Sequence, residues 1–440
     1  MLRNSNLKII FILAIISGGI FFFPASVLSD SLNESRTFFV DPFYNLKGRD
    51  KVDATLEEIS QKGYFYIENE YYGNLTEDEQ EEISKSLDAL AQEFDREIYP
   101  KLTSTYGSEW RPGIDNDYRL TILFHQMGRR AAGYFREEDE YLKIQSPNSN
   151  VREIIYLNIK YINEPIIKSY LAHEFTHLIT FNQKDRIRGI AEEIWLNEAR
   201  ADYSPTLLGY DEYNNEYENN LQSRVKAFLA NSSDSITSWE NKVSDYGALN
   251  LFTQYLIDHY GLKVLVDSLH SKKVGIPSLD EALGKNGWAE DFSQIFTDWT
   301  ITVLINDCSL NEKYCYKNSN LEDVYIIPST NFLPLSGEST LSVNDRSQDW
   351  AGNWFKFVGG NGNLKIEFSG DSESLFRIPY VTQDTSGKYE VGFFELDEQQ
   401  KGEIIVPEFR TKISSVTIIP SIQSKISGFN STEPFFPFSW

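Results

Sequence analysis

The order of apolar patterns along the chain predicts an α+β fold followed by an all-β domain. Three observations carry this expectation. Short strand-like runs occupy the first third, a long helical stretch reaches about Leu304, and short alternating runs follow a pair of cysteines.

Taken in order, Arg3 and Lys8 precede an apolar run from Ile9 to Phe23, and Pro24 to Ser29 end it with mostly small residues. Residues 1–29 therefore read as a signal peptide. An uncleaved anchor is the alternative, because roughly 20 apolar residues can just span a bilayer. Residues 30–61 read as an irregular linker or strap. Gly63–Ile67 reads as a strand, and Glu77–Tyr99 as a helix with Ile83, Leu87, Leu90, Ala91 and Phe94 on one face. Leu120–Phe124, Gly133–Phe135 and Ile154–Ile159 are further strands. A buried-helix pattern follows from Ile166 to Ile179, and Glu192 to about Leu304 is mostly helical. These elements make residues 62–317 one α+β domain. From about Asn318, runs such as Trp354–Phe357, Leu364–Phe368 and Ser415–Ile419 alternate and are punctuated by Gly359-Gly360-Asn361-Gly362. Residues 318–440 read as a small β-sandwich-like accessory domain.

The chain has 440 residues, 41% of them hydrophobic and 14% aromatic, enough for a sizeable core and about two domains. Its net charge of −24 argues against nucleic acid or an anionic membrane surface as a partner. A membrane is expected only through the N-terminal segment, if that segment stays attached, and a monomer is expected otherwise. The two cysteines, Cys308 and Cys315, are close in sequence. In an exported chain they suggest a disulfide closing a short loop; two free thiols are the plainer alternative.

The chemistry concentrates in His173-Glu174-Phe175-Thr176-His177. Two histidines at i and i+4 share one helix face, so their ring nitrogens can meet at one ion, and neutral imidazole is a good zinc ligand. Glu174 lies about 100° further round the helix, beside the ligand set, where a general base for an attacking water belongs. Downstream, Trp195, Leu196, Ala199 and Tyr203 suit a second amphipathic helix that carries Glu198 and, one turn on, Asp202. Glu198 can supply the third ligand. Asp202 can accept the free ring N–H of a ligating histidine. The plain alternative is a helix with satisfied histidines and a solvated acidic face. The turn Asp115-Asn116-Asp117 could donate to calcium, or be no more than a polar turn. His125 and His270 are most simply structural.

HEFTH followed by NEARAD resembles the gluzincin metallopeptidases, the thermolysin clan, in which a helix bearing H-E-x-x-H precedes one bearing N-E-x-x-x-D. Together with Tyr246-Gly247, Leu251-Phe252, Tyr255-Leu256 and Tyr260-Gly261, the pattern is similar to secreted bacterial gluzincins of the hyicolysin-like type, over roughly residues 60 to 300. The resemblance implies a zincin-like catalytic domain with His173, His177 and Glu198 as zinc ligands, Glu174 as general base and Asp202 orienting a ligand histidine. It also implies a Tyr or His that donates to the oxyanion. Tyr246 is the first candidate and His259 the second; they are 13 residues apart, so one helix would hold their backbones about 20 Å apart. The G-x-M-E-N segment of the clan's zinc aminopeptidases is absent, which points away from exopeptidase action.

The resulting expectation is an exported, zinc-dependent endopeptidase acting on peptide or protein substrates. An extended substrate would pair with an edge strand, and residues 130–144 are the candidate segment. A non-proteolytic zinc hydrolase and a surface binding protein with a structural metal site are the alternatives.

Overall fold

The computed structural model describes residues 29–128, 131–211 and 218–424. The segment read as a signal peptide or anchor lies outside the described residues, apart from Ser29. Among the described residues no helix is long and apolar enough to cross a membrane.

The first layer is a six-stranded sheet of β1 (Ser35–Phe39), β2 (Lys51–Ile59), β3 (Gly63–Glu68), β4 (Leu120–His125), β5 (Gly133–Phe135) and β6 (Ile154–Asn158). The spatial order is β1-β2-β3-β4-β6-β5. Strands β3, β4 and β6 are parallel, and their near-continuous apolar runs follow from burial on both faces. Strand β5 runs antiparallel to β6 and forms one edge. The reading of residues 30–61 as irregular is corrected here. Strands β1 and β2 belong to the sheet, and alternation in β2 buries Val52, Ala54 and Leu56. The alternation lies between charged residues, which masked it in the sequence.

Helices cover one sheet face. Short α1 (Asn69–Tyr72) leads to α2 (Glu77–Glu93), which begins with a capping box between Thr76 and Glu79. A π turn, Phe94–Ile98, passes the chain into α3 (Tyr99–Tyr106), so the helix expected to end at Tyr99 continues past Pro100. Pro100 sits in the first turn of α3, directly after the π turn that accommodates it within the continuous helix. Central to this layer is α4 (Ile167–Thr180), buried between the sheet and the next helices.

The second half holds α5 (Ile194–Leu207), α6 (Asn220–Ala230), α7 (Val243–Tyr260), α8 (Leu262–Leu269), α9 (Gly275–Lys285) and α10 (Phe292–Ile305), with their own apolar core. Cys308 and Cys315 are disulfide-bonded just after α10, with Cα atoms 5.0 Å apart. The C-terminal strands are β7 (Ser329–Leu333), β8 (Phe355–Gly359), β9 (Gly362–Ser369), β10 (Phe376–Arg377), β11 (Pro379–Asp384), β12 (Tyr389–Phe393), β13 (Lys401–Phe409), β14 (Ile413–Ile418) and β15 (Ser421–Ile422). Strands β12-β11-β14-β8-β7 pair side by side, while the antiparallel β9–β13 pair, whose strands are separated in sequence by β10 to β12, joins them through one parallel pair, Phe409 with Ile413. Phe357, Ile366, Val406 and Val416 fill the core between them. Trp354 anchors this region to the helices by donating from Nε1 to the Thr300 carbonyl at 2.9 Å, and Trp350 packs on Phe292 and Phe296.

Candidate metal centre

The helices α4 and α5 cross where their side chains are small. Thr176 and Ser204 touch through their hydroxyls at 2.6 Å, and Thr176 also donates back to the Ala172 carbonyl. That close crossing sets Glu198 opposite the histidine pair. His173 Nε2 and His177 Nε2 are 3.0 Å apart. Glu198 Oε2 lies 3.3 Å from the first and Oε1 lies 3.5 Å from the second. One donor atom from each of the three residues falls within 4.8 Å of the others, the sole such His/Cys/Asp/Glu group among the described residues.

All three side chains are buried, and neither oxygen of Glu198 has a hydrogen-bond donor. Burial holds both imidazoles neutral, pushing His177 down to about 4 and His173 well below the ordinary histidine value. It pushes Glu198 upward, and the Glu174 and Asp202 charges add to this. Lone pairs from two neutral rings and a carboxylate thus converge with too few protons to satisfy them. Such a donor set fits a small dication. Ligands 2.0–2.1 Å from a tetrahedral ion lie about 3.3 Å apart, close to the separations found.

The supporting contacts differ in part from expectation. His177 Nδ1–H donates to Asn197 Oδ1 at 3.1 Å, which fixes the tautomer and aims the Nε2 lone pair inward. Sequence reasoning gave Asn197 no role; its place directly before Glu198 was the available signal. Asp202 Oδ1 is 3.8 Å from His173 Nδ1, too far for the hydrogen bond expected of it. Its carboxylate instead accepts from Arg224 Nη2 at 2.8 Å, Arg224 Nε at 3.0 Å and Asn250 Nδ2 at 2.8 Å. Arg224 reaches it because α6 and α7 pack closely over Gly247, where an added Cβ would come 2.5 Å from the Phe228 nitrogen. Nothing local in the sequence marks Arg224.

Glu174 sits between α4 and the edge strand. A Cβ built on Gly133 of β5 would lie 2.8 Å from its Cγ and 2.8 Å from its Oε1. Tyr246, at the start of α7, is fully buried with its ring centroid 6.5 Å from that of His173, under the Arg224 guanidinium and edge-on to Trp239. His259 is at the other end of α7, where Nε2–H donates to the Cys315 carbonyl at 2.9 Å, so the second oxyanion candidate serves the disulfide loop. His125 and His270 bond to Tyr134 and to the Tyr106 carbonyl, as structural histidines do. In the 115–117 turn, Asp115 accepts from the Asp117 nitrogen, and Asp117 accepts from Tyr64 and from the Arg119 nitrogen.

A cavity of about 190 Å³ adjoins the cluster, bordered by His177, Asn197, Phe135, Arg136 and Phe181. Its wall also carries Asp41, Glu137, Glu138, Asp185 and Glu192. Burial and the Asp185 and Glu138 charges push Glu137 up to about 8.

Compared with known proteins, the chain is similar to a neutral metalloprotease. That relative is neutral metalloprotease ShpI of Staphylococcus hyicus, 27% identical over 226 residues, which are 46% of this chain and 49% of the relative. The chain thus spans about half the length of the curated relative it matches. No protein-family model matches.

Proposed function

We propose that the chain is a zinc-dependent endopeptidase of gluzincin type, with a zincin-like domain formed by the six-stranded sheet and the helices through α10. The observation that carries this reading is the convergence of His173, His177 and Glu198 donor atoms beside a buried Glu174. The metalloprotease relative supports it. His173, His177 and Glu198 would hold the zinc. When bound, that ion acts as a Lewis acid on the scissile carbonyl and lowers the pKa of a water to about 7.

The chain's own groups supply the rest. Glu174 accepts a proton from the attacking water at a carboxylate oxygen and returns it to the leaving amine as the C–N bond breaks. Asn197 keeps His177 in the tautomer that presents Nε2. The Tyr246 hydroxyl donates to the oxyanion of the tetrahedral intermediate. Strand β5, antiparallel at the sheet edge beside α4, pairs with an extended peptide through main-chain hydrogen bonds. The carboxylates around the neighbouring cavity favour a neutral or basic substrate side chain over an acidic one. The disulfide suits an exported protein, since such bonds persist in oxidising compartments.

Glu174→Gln tests this reading. The amide keeps the shape and leaves the ligands in place, so zinc content should stay at wild-type level. General-base catalysis contributes roughly 10²–10⁴-fold, so cleavage of an unstructured protein should fall at least about a hundredfold. A zinc-loaded Glu174→Gln protein cleaving at the wild-type rate would overturn the mechanism. Wild-type activity insensitive to chelator would overturn the assignment to a metal enzyme.

A further inference from the structure

Strands β1 and β2 lie at one edge of the sheet, but the strap that joins them, residues 40–50, crosses to the other edge. There the Leu46 nitrogen donates to the Gln126 carbonyl at 3.0 Å, and the Gly128 nitrogen donates to the Tyr44 carbonyl at 2.8 Å. The Asp41 nitrogen donates to the Tyr134 hydroxyl at 3.1 Å. These bonds lay the Tyr44 ring on that of Tyr134 in β5, with centroids 5.2 Å apart, and Tyr134 stacks in turn on Tyr156 of β6. Tyr134 follows Gly133, whose backbone packs against Glu174. Asp41 borders the same cavity as His177 and Asn197. The strap thus ends up beside the metal centre.

The core on the sheet face away from α4 holds five tyrosines: Tyr44, Tyr64, Tyr66, Tyr134 and Tyr156. Four have their hydroxyls bonded around that core. Tyr64 donates to Asp117, Tyr66 to Asp30 and Tyr156 to Asp139, while Tyr134 bonds to His125 and the Asp41 nitrogen. Tyr44 is the exception. It is 0% exposed, yet its hydroxyl makes no hydrogen bond within that core. It faces the Asn241 side chain, just ahead of α7, and the carboxylates that bear on it are Asp41, Glu174 and Glu198. Tyr246, in the first turns of α7, lies under the charges of Glu198 and Glu174 as well. A buried hydroxyl turned from its own layer toward a donor cluster calls for a functional explanation.

We propose that Tyr44 is a second oxyanion donor, its hydroxyl hydrogen-bonding the scissile carbonyl oxygen as charge builds there, so that each half of the domain contributes one tyrosine. The inference rests on the peptidase reading above. Donation makes and breaks no covalent bond, and the phenol keeps its proton throughout. Burial, and after it the Asp41, Glu174 and Glu198 charges, push the Tyr44 hydroxyl above the ordinary tyrosine value, which keeps it in the donor form. The stacked ring and the backbone bonds on either side of it fix the hydroxyl before substrate arrives, and a donor already in place needs no reorganisation at the moment of reaction. The strap is thereby a wall of the active site rather than a spacer leading to it.

The test compares full-length wild-type protein with Tyr44→Phe, which keeps the ring on Tyr134 and removes only the hydroxyl. Cleavage of a quenched fluorescent peptide gives kcat and KM. Zinc content, thermal unfolding and inhibition by a phosphinic peptide that mimics the tetrahedral intermediate are read on the same samples. Tyr44→Phe should keep its zinc, its midpoint and its KM, lose about 10²-fold in kcat, and bind the phosphinic peptide more weakly by a similar factor. Tyr64→Phe, from the same core but bonded to Asp117, should keep the wild-type kcat. A wild-type kcat in Tyr44→Phe would overturn the proposal. Faster turnover would overturn it too, by showing a strap that obstructs the cleft. Loss of zinc or a lowered midpoint would make Tyr44 a residue of the fold and likewise overturn it. Zinc-loaded wild-type protein that cleaves no peptide would overturn the peptidase reading itself, and this inference with it.

Discussion

Gly133 offers a sharp test of how the edge strand positions Glu174, the proposed base. Alanine at this position would place a Cβ 2.8 Å from Glu174 Cγ, 2.8 Å from Glu174 Oε1 and 2.8 Å from the Tyr156 carbonyl oxygen. Ordinary contact begins near 3.4 Å, so about 0.6 Å must be recovered on both sides. The Tyr156 carbonyl belongs to β6, paired with β5 and buried within the sheet, so it yields little. The Glu174 side chain is therefore expected to move by about half an ångström. A displacement of 1 Å can cost about 10²-fold in rate, so Gly133→Ala should lose roughly 10- to 100-fold in kcat/KM. Overpacking should lower stability by about 1–3 kcal/mol. The assay pairs cleavage of an unstructured protein with zinc content and thermal unfolding. Gly128→Ala is the control, because its nearest contacts, 3.6 and 3.7 Å from Leu46, already lie in the ordinary range. Gly133→Ala protein with full zinc and wild-type kcat/KM would refute the argument that β5 fixes Glu174.

Other substitutions separate the remaining roles. Glu198→Ala should abolish zinc retention, whereas Glu193→Ala, whose carboxylate accepts from the Trp195 indole, should not; zinc loss in the second variant would refute the ligand set. Asn197→Ala should weaken zinc affinity about 10- to 100-fold by freeing the His177 ring, as competition with a chelating dye would show. An unchanged affinity would remove Asn197 from that role. Tyr246→Phe should keep zinc and lower kcat by about 10²–10³-fold if its hydroxyl supports the oxyanion; unchanged kinetics would assign that donor elsewhere.

The legible part of this protein was whatever depends on local periodicity. Residues at i and i+4 share a helix face wherever the helix goes, so His173 with His177, and Glu198 on a second helix, could be read as one donor set. Strands β3, β4, β5 and β6 were legible because burial on both faces leaves continuous apolar runs. Strand β2 was hidden because a strand buried on one face alternates, and here the alternation lies between mostly charged residues; β1, five residues long, buries only Phe38 and leaves no pattern to read. Packing between distant segments decided the rest. Asp202 turned from His173 toward Arg224 and Asn250 because α6 and α7 close over Gly247, and no local pattern announces that crossing. His259 and Tyr246 share a helix, yet its two ends face different neighbours, the disulfide loop and the donor cluster. Glu140 and Glu153 are 13 residues apart in sequence. They meet because the Arg152 nitrogen donates to the Asp139 carbonyl, joining the two ends of the β5–β6 connection. Side-chain spacing along one element is set by bond geometry, but contacts between elements are set by which surfaces fill each other's volume, and that exists only in the folded chain.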